Sequence, residues 1–269
     1  MGGKVLKNLS IQLVNVNKVF RTLRKTINAL ENINLEVGVG EFVGVVGPSG
    51  CGKSTIIRLI NDIIKPTSGD IYVDGEKYGR VIPKETIQKM GFIFQHPNLM
   101  PWLTLRQNVE LPLKILNLDT PENIENVDRL LEMVNLTDFE NSMPSEMSQS
   151  MLQRAGVIRS MVPNPEILLM DEPFGSLDEM LREQLDMEFL DLWSKIGQSV
   201  VFITHNVAEA ILMSDFVYVM GTNPGTILEK IKIDFPRPRT LDILEDREFV
   251  EYEEYIVNLI GDIDLSKIV

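Results

Sequence analysis

The sequence has little cysteine, tryptophan and histidine, and it has no long apolar run. Its 269 residues include one cysteine, two tryptophans and two histidines. The single cysteine, Cys51, excludes a disulfide framework and favours a reducing compartment. No apolar stretch approaches the length of a membrane-spanning helix, and the residues after Lys4 and Lys7 are too mixed in polarity for a signal peptide. We therefore expect a soluble chain that reaches a membrane only through a partner.

Positive charge is also scarce. The net charge of −13 argues against a nucleic-acid-binding surface. The charge is uneven, because Met1–Leu30 carries six basic residues and no acid, whereas Thr240–Val269 carries nine acids and two bases. We interpret the acidic end as the solvated face of a terminal helix. The inner face of that helix would carry Phe249, Tyr252, Ile256, Leu259 and Ile260.

One short stretch carries a specific chemical signal. The apolar segment 42–46 predicts a buried strand, 47–54 has the pattern Gly-x-x-x-x-Gly-Lys-Ser, and a helix is predicted from Thr55 onward. Strand, glycine-rich loop and helix together predict a phosphate-binding P-loop. The glycines let backbone N–H groups converge on an anion. Lys53 would reach the β- and γ-phosphates, and the Ser54 hydroxyl would bind Mg²⁺.

Hydrophobic patterns predict the surrounding fold. Ile33, Leu35 and Val37 alternate with polar residues, as in a half-buried strand. Continuous apolar runs predict buried parallel strands, and they lie at 91–95, 166–172, 199–205 and 215–220. The segment from 104 to about 147 has a helical pattern, and Thr120-Pro121-Glu122 predicts a helix start. The fold class expected is α/β, a P-loop NTPase (RecA-like) core with an N-terminal antiparallel β part and an inserted helical subdomain at about 104–160.

Polar residues follow the predicted parallel strands. Gly47, Gln95, Asp171 and His205 each lie at the carboxyl end of one strand, where α/β sheets bind ligands. Asp171 suits Mg²⁺, and Glu172 suits a base that activates the attacking water. His205 could hydrogen-bond the γ-phosphate, and Gln95 could complete the shell of Mg²⁺ or water. The alternative interpretations are a solvated turn for the Asp-Glu pair and a structural histidine.

These motifs resemble those of the ATP-binding subunits of ABC transporters, over nearly the whole chain. The resemblance implies that Gly47–Ser54 is Walker A, 167–171 is Walker B and Glu172 is the catalytic glutamate. The resemblance also implies that Gln95 is the Q-loop residue and His205 the H-loop residue. It implies that Phe20 stacks on adenine, and the alternative interpretation of Phe20 is an ordinary core residue. The D-loop would contain Ser176 and Asp178. The ATP-binding set implied is Phe20, Gly47, Pro48, Ser49, Gly50, Cys51, Gly52, Lys53, Ser54, Thr55 and Gln95, and the Mg²⁺ set is Ser54, Gln95 and Asp171.

Finer features are similar to one branch of the family. The segments 94–104, 171–178 and 235–239 resemble importers of nitrate, sulfonate and taurine, with bicarbonate and thiamine-precursor importers as relatives. One motif departs from the family pattern Leu-Ser-Gly-Gly-Gln, in which Met can replace the last residue. Here Met147 precedes Ser148, Gln149, Ser150 and Met151, so that both glycines are lost. The side chains of Gln149 and Ser150 could obstruct a close approach to the γ-phosphate held by a second subunit.

The resemblance implies an ATPase domain over 11–240 followed by an acidic helical tail over 241–269. It implies a dimer that binds two ATP, with transmembrane permease subunits as partners and a substrate-binding protein acting through the permease. The second ATPase subunit would be an identical chain or a different one with an intact signature. The location implied is the cytoplasmic face of the cell membrane, with no nucleic-acid partner. The alternatives are a weakly hydrolysing regulatory subunit and a soluble ABC protein of translation or DNA repair.

Overall fold

The structure is a computed structural model that describes residues 9–21, 25–78 and 83–265. The chain divides into two compact units. The first comprises Met1–Thr86 and Ser199–Val269, and the second comprises Ile87–Gln198. Lys4 and Lys7 lie outside the described residues, whereas the segment 11–16 that follows them, predicted to be a strand of mixed polarity, lies in the first strand.

The described strands and helices follow one another along the chain in alternating groups. The strands are β1 Leu9–Arg21, β2 Thr26–Gly38, β3 Phe42–Val46, β4 Ser68–Val73, β5 Glu76–Lys77, β6 Met90–Phe94, β7 Ile167–Asp171, β8 Ser199–Ile203, β9 Phe216–Gly221 and β10 Thr226–Lys232. The helices are α1 Lys53–Ile60, α2 Lys84–Gln88, α3 Leu105–Leu116, α4 Pro121–Met133, α5 Gln149–Met161, α6 Glu179–Ile196, α7 Val207–Met213 and α8 Arg247–Leu265.

An antiparallel sheet of the first unit has the strand order β2-β1-β4-β5. The predicted alternation in β2 is confirmed, because Ile33, Leu35 and Val37 are fully buried, whereas Asn32 and Asn34 are exposed and Glu36 is half-buried. These apolar residues pair across the ladder with buried residues of β1. Burial on one face and hydration on the other fixes the register of the two strands.

Four further strands of the first unit lie in the order β10-β9-β3-β8. Strand β3 pairs in parallel with both β8 and β9, and β10 runs antiparallel to β9. All five residues of β3 are buried, as expected for a continuous apolar run in a parallel sheet. The carboxyl ends of β3 and β8 therefore lie at the same edge.

Two arginines near the end of the first unit hold α7. Arg239 is only 4% exposed, and its guanidinium donates to the carbonyl oxygens of Ile211, Leu212 and Ser214 at 2.7–3.0 Å. Burial lowers the pKa of Arg239 to about 10. Arg237 donates to the carbonyl of Met213 at 2.7 Å. The two guanidinium groups thus satisfy carbonyls at the C-terminal end of α7, which would otherwise lack donors.

Helix α8 packs on α7 and β9. Its predicted inner face is confirmed, because Phe249 and Ile256 are buried and the other three residues are half-buried: Tyr252, Leu259 and Ile260. The acidic residues Glu251 and Glu254 are exposed. In the described part of the chain, no helix combines the length and the apolar character needed to cross a bilayer.

In the second unit, β6 and β7 pair in parallel with Phe94 opposite Asp171. The predicted helix start at Thr120 is confirmed: its side chain accepts from the backbone of Asn123, with Pro121 in the first turn. Helix α3 has a capping box between Thr104 and Gln107, which satisfies two backbone donors at once. Helix α6, which has 18 residues, ends at a left-handed Gly197.

Candidate functional site

The loop between β3 and α1 is shaped by its glycines. Gly50 and Gly52 have positive φ values of 78° and 105°, a conformation that L side chains rarely adopt. A Cβ atom at Gly52 would also lie 2.6 Å from Cδ2 of Leu30. The loop closes on itself, since the amide of Cys51 donates to the carbonyl of Pro48 at 3.2 Å. Glycines are therefore required here by both conformation and space.

Lys53 lies inside this loop. The side chain is 5% exposed, and its Nζ donates to the carbonyl oxygens of Gly47 at 2.7 Å and Pro48 at 3.2 Å. Lys53 is the first residue of α1, whose first turn contains no acidic side chain. The helix dipole places partial positive charge at this N-terminus, and no acidic side chain in the first turn neutralises it. A buried ammonium at such a terminus is suited to bind an anion such as phosphate.

His205 follows the neighbouring strand of the same unit. The amide of Thr204 donates to the carbonyl of Val45 at 3.3 Å, so the ends of β3 and β8 lie side by side. Asn206 caps α7 by accepting from the amide of Glu209 at 3.1 Å, and the Thr204 hydroxyl hydrogen-bonds the carboxylate of Glu209. The exposed His205 is thereby fixed on a well-anchored turn at the edge that carries the glycine-rich loop.

The second unit carries the predicted carboxylates. Asp171 ends β7 opposite Phe94, so Gln95 and Glu172 follow directly after adjacent strand ends. Glu172 has a φ of 48°, whereas every other non-glycine residue with positive φ in the described chain is asparagine or aspartate. The left-handed conformation costs a glutamate free energy and is concentrated at functional sites.

Comparisons with known proteins place this geometry in a family. A family model described as "ABC transporter" matches residues 30–175. The nitrate import ATP-binding protein NrtD of Synechocystis sp. is 39% identical over 258 residues, which cover 94% of this chain and 95% of that protein. The chain belongs to the ABC transporter family. Its membership, anticipated from the motifs, is confirmed.

Two further comparisons support the assignment. The aliphatic sulfonates import ATP-binding protein SsuB of Bacillus cereus is 37% identical over 232 residues, which cover 86% of this chain and 89% of that protein. A solved dimeric structure of the ATP-binding cassette MJ0796 in a post-hydrolysis state, bound to ADP and Pi, superposes with a TM-score of 0.72 at 33% identity and covers 84% of this chain and 100% of that chain. The predicted α/β P-loop fold is confirmed, and the chain is an ABC-type ATPase.

In this ATPase, Phe20 lies on β1 opposite Ile27 and is 37% exposed. The Nζ atom of Lys18 lies 4.9 Å from the centre of its ring. The ring therefore does not belong to the core, contrary to the alternative interpretation of Phe20 as a core residue. Its stacking on adenine stays a prediction.

The altered signature motif forms an ordinary helix start. Ser148 has extended backbone angles and its hydroxyl accepts from the amide of Met151 at 3.3 Å. Gln149 and Ser150 lie in the first turn of α5, and neither has a positive φ. The Ser148 and Ser150 hydroxyl oxygens are 3.0 Å apart. The backbone at the two lost glycines is thus unstrained.

The D-loop also begins a helix. Asp178 caps α6 by accepting from the amide of Leu181 at 3.0 Å, and Ser176 is exposed in the preceding turn. These residues lie where the motif predicts them along the chain. Their part in nucleotide binding stays a prediction.

Sequence reasoning missed one buried polar residue near the Q-loop. Asn108 on α3 is fully buried, and its Nδ2 lies 3.0–3.1 Å from the carbonyls of Met100, Leu103 and Thr104. Its Oδ1 accepts from the amide of Met100 at 2.6 Å. The available signal was an asparagine among the apolar positions of an amphipathic helix. Asn108 holds the loop that carries Trp102.

Proposed function

We propose that this ATPase powers the import of a small anion across a membrane, of the nitrate, sulfonate, taurine or bicarbonate type. The observation that carries the proposal is the similarity to NrtD and SsuB along nearly their whole lengths. Both relatives are named import proteins, so a weakly hydrolysing regulatory role and a role in translation or DNA repair are not favoured. The transported anion itself would be selected by the partners, because an ATP-binding subunit of this family contacts the nucleotide.

The glycine-rich loop suits the triphosphate group of a nucleoside triphosphate. Its positive-φ glycines, the buried Lys53 and an α1 N-terminus without acidic side chains together favour bound phosphate. We assign the phosphates of ATP to the loop and to Lys53, with Thr55 and the remaining loop residues donating backbone N–H groups. The exposed ring of Phe20 would stack on the base.

The other motif residues would act on the terminal phosphate. Bound Mg²⁺ would neutralise charge on the phosphate oxygens, and the Ser54 hydroxyl, Asp171 and Gln95 are its proposed protein ligands. Mg²⁺ keeps several waters and needs few protein ligands. No cluster of three metal-ligating side chains is found among the described residues. Glu172 would accept the proton of the attacking water, and His205 would hydrogen-bond the γ-phosphate.

An apolar surface of the second unit suits a permease contact. The exposed side chains of Phe94 and Ile115 line a groove with Met100, Leu111 and Pro112. Trp102, on the loop beside this groove, is 70% exposed and therefore does not belong to the core. An exposed apolar surface of this kind marks an interaction site. We assign it to the membrane-spanning partner, on the cytoplasmic face of the membrane.

We propose that the ATPase domain comprises residues 11–240, with a helical subdomain at about 104–160 and an acidic tail at 241–269. The domain would act as a dimer in which the signature of one subunit completes the ATP site of the other. Turnover of this subunit with its permease and no second ATPase tests the composition of the dimer. Robust hydrolysis establishes a homodimer, and hydrolysis that requires a second ATPase establishes a heterodimer.

The test of the proposed function is transport into vesicles. The subunit is reconstituted with its permease and the substrate-binding protein, and uptake of labelled nitrate, taurine and bicarbonate is measured with ATP inside the compartment that faces this subunit. The matched control carries Lys53→Ala. ATP-dependent uptake of one of these anions, abolished in the control, supports the proposal, and uptake of none of them refutes the substrate class.

A further inference from the structure

A buried glutamine on α5 connects the two strand-end loops of the second unit. Gln153 is 1% exposed. Its Nε2 donates to the carbonyl of Gln95, at 3.3 Å, and to the carbonyl of Pro173. Its Oε1 has no hydrogen-bond partner among the described residues. The side chain therefore serves as a donor, and both of its acceptors are backbone groups.

Both acceptors lie next to residues with proposed roles in hydrolysis. Gln95 is the first residue after β6, and Pro173 is the second residue after β7. Since Phe94 pairs with Asp171, these strands end at the same level. Pro173 directly follows Glu172, so one amide group of Gln153 links the carbonyl of the residue after the proposed base with the carbonyl of the proposed Mg²⁺ ligand.

Glu172 needs such support because of its backbone. With a φ of 48°, it occupies a conformation that glutamate adopts only when its surroundings enforce it. The carbonyl of Glu172 accepts from the amide of Gly175 at 3.1 Å, which fixes the peptide that follows Glu172. The hydrogen bond from Gln153 to the carbonyl of Pro173 fixes the next peptide along the chain.

The same face of α5 holds the loop after β6 at three points. A Cβ atom at Gly156 would lie 3.0 Å from Pro97, so that helix and loop touch closely there. Arg159 donates to the carbonyls of Pro97 at 2.6 Å and Asn98 at 2.9 Å. Positions 153, 156 and 159 repeat at helical spacing. Helix α5 and the loop are thus joined, and Gln153 extends this attachment to the loop of Glu172.

We infer that Gln153 is a positioning residue for ATP hydrolysis, which fixes the backbone of Glu172 relative to Gln95. The inference rests on the proposed role of Glu172 as the base. Removing the Nε2 donor of Gln153 leaves the carbonyls of Gln95 and Pro173 without this hydrogen bond. The strained turn at Glu172 then relaxes, which moves the carboxylate of Glu172. A displacement of about 1 Å in a catalytic group can cost roughly 10²-fold in rate.

The first test compares two buried glutamines of the same unit. Gln198 is 5% exposed, its Nε2 donates to the carbonyl of Pro165 at 2.7 Å, and its Oε1 lacks a described partner. Gln153→Met removes hydrogen bonds to two carbonyls and Gln198→Met removes one, so both variants should have a lower melting temperature than the wild type. We expect Gln153→Met to lower kcat by about 10- to 100-fold with an unchanged KM for ATP. Gln198→Met should change kcat by less than about twofold. Equal kcat values for the two variants overturn the inference.

The second test asks whether Gln153 acts through Glu172. In a Glu172→Gln background the base is already lost, so Gln153→Met should lower the residual kcat by less than about twofold. A full additional loss overturns the inference while leaving the base assignment intact. Wild-type turnover of Glu172→Gln alone refutes the proposed base instead. Should Gln153→Met fail to fold, Gln153→Glu replaces it, because it keeps the shape and presents oxygen where the amide donated.

Discussion

Asn108 allows the strongest stability prediction, because its hydrogen bonds can be counted. The side chain has two N–H donors, shared among three carbonyls, and one oxygen that accepts from Met100. Asn108→Ala removes all three hydrogen-bonding functions from a fully buried position. At about 1 kcal/mol for each function, the free energy of unfolding should fall by about 3 kcal/mol.

The matched control is Asn123→Ala. Asn123 also lies early in a helix of the second unit, but it is half-buried. Among the described residues, its side chain donates to one group, the carbonyl of Leu118 at 2.7 Å. Alanine raises helix propensity equally in both variants, so this contribution cancels. We expect Asn108→Ala to be about 2 kcal/mol less stable than Asn123→Ala.

Two measurements check this difference. Urea denaturation followed by circular dichroism gives the free energy of unfolding of each variant. Amide hydrogen exchange reports on the loop itself, and exchange of the Met100 amide should accelerate only in Asn108→Ala. Equal destabilisation of the two variants, with unchanged exchange at Met100, would show that Asn108 does not hold the loop and would refute the reasoning.

Three further predictions concern the ATP site and the response to pH. Lys53→Ala should weaken ATP binding by about 10- to 100-fold, the loss expected for a charged hydrogen bond, as measured by titration calorimetry; unchanged affinity contradicts the phosphate assignment. Glu172→Gln should lower kcat by about 10²–10⁴-fold while ATP stays bound, as measured by phosphate release and nucleotide retention; a wild-type rate contradicts the assignment of the base. Burial, with Asp62 and Asp74 adding, raises the pKa of Tyr78. The unfolded state therefore ionises first, and stability should fall above about pH 10. In urea denaturation, the stability advantage of wild type over Tyr78→Phe should shrink above that pH, and a constant difference contradicts the shift.

Local sequence patterns predicted the parts of the fold that depend on neighbouring residues. The glycine-rich loop, the alternation of Ile33, Leu35 and Val37, and the capped start of α4 each follow from a few adjacent positions. Strand β10 was missed, because Thr226–Lys232 mixes apolar residues with two lysines. Strand β10 pairs with β9, and this tertiary contact outweighs the local propensity of its residues.

The contacts of Gln153 could not be predicted for a different reason. Its two acceptors lie 58 and 20 positions away along the chain. Whether a buried glutamine donates to one loop or joins two depends on where β6, β7 and α5 meet. The positive φ of Glu172 is equally invisible in sequence, since glutamate is not a residue that predicts a left-handed turn.

The signature motif shows how structure changes the interpretation of a sequence departure. Glycine is required where φ is positive or where a backbone must be approached closely. The first requirement is absent at Gln149 and Ser150, because both lie in the regular first turn of α5. The side chains of Gln149 and Ser150, rather than the backbone conformation, then distinguish these two positions from the family pattern. Ser150 also adds a hydroxyl 3.0 Å from that of Ser148. A helix start with two hydroxyls beside its N–H groups offers donors of the kind that bind phosphate, and a role of this motif in the ATP site of a partner subunit stays a prediction.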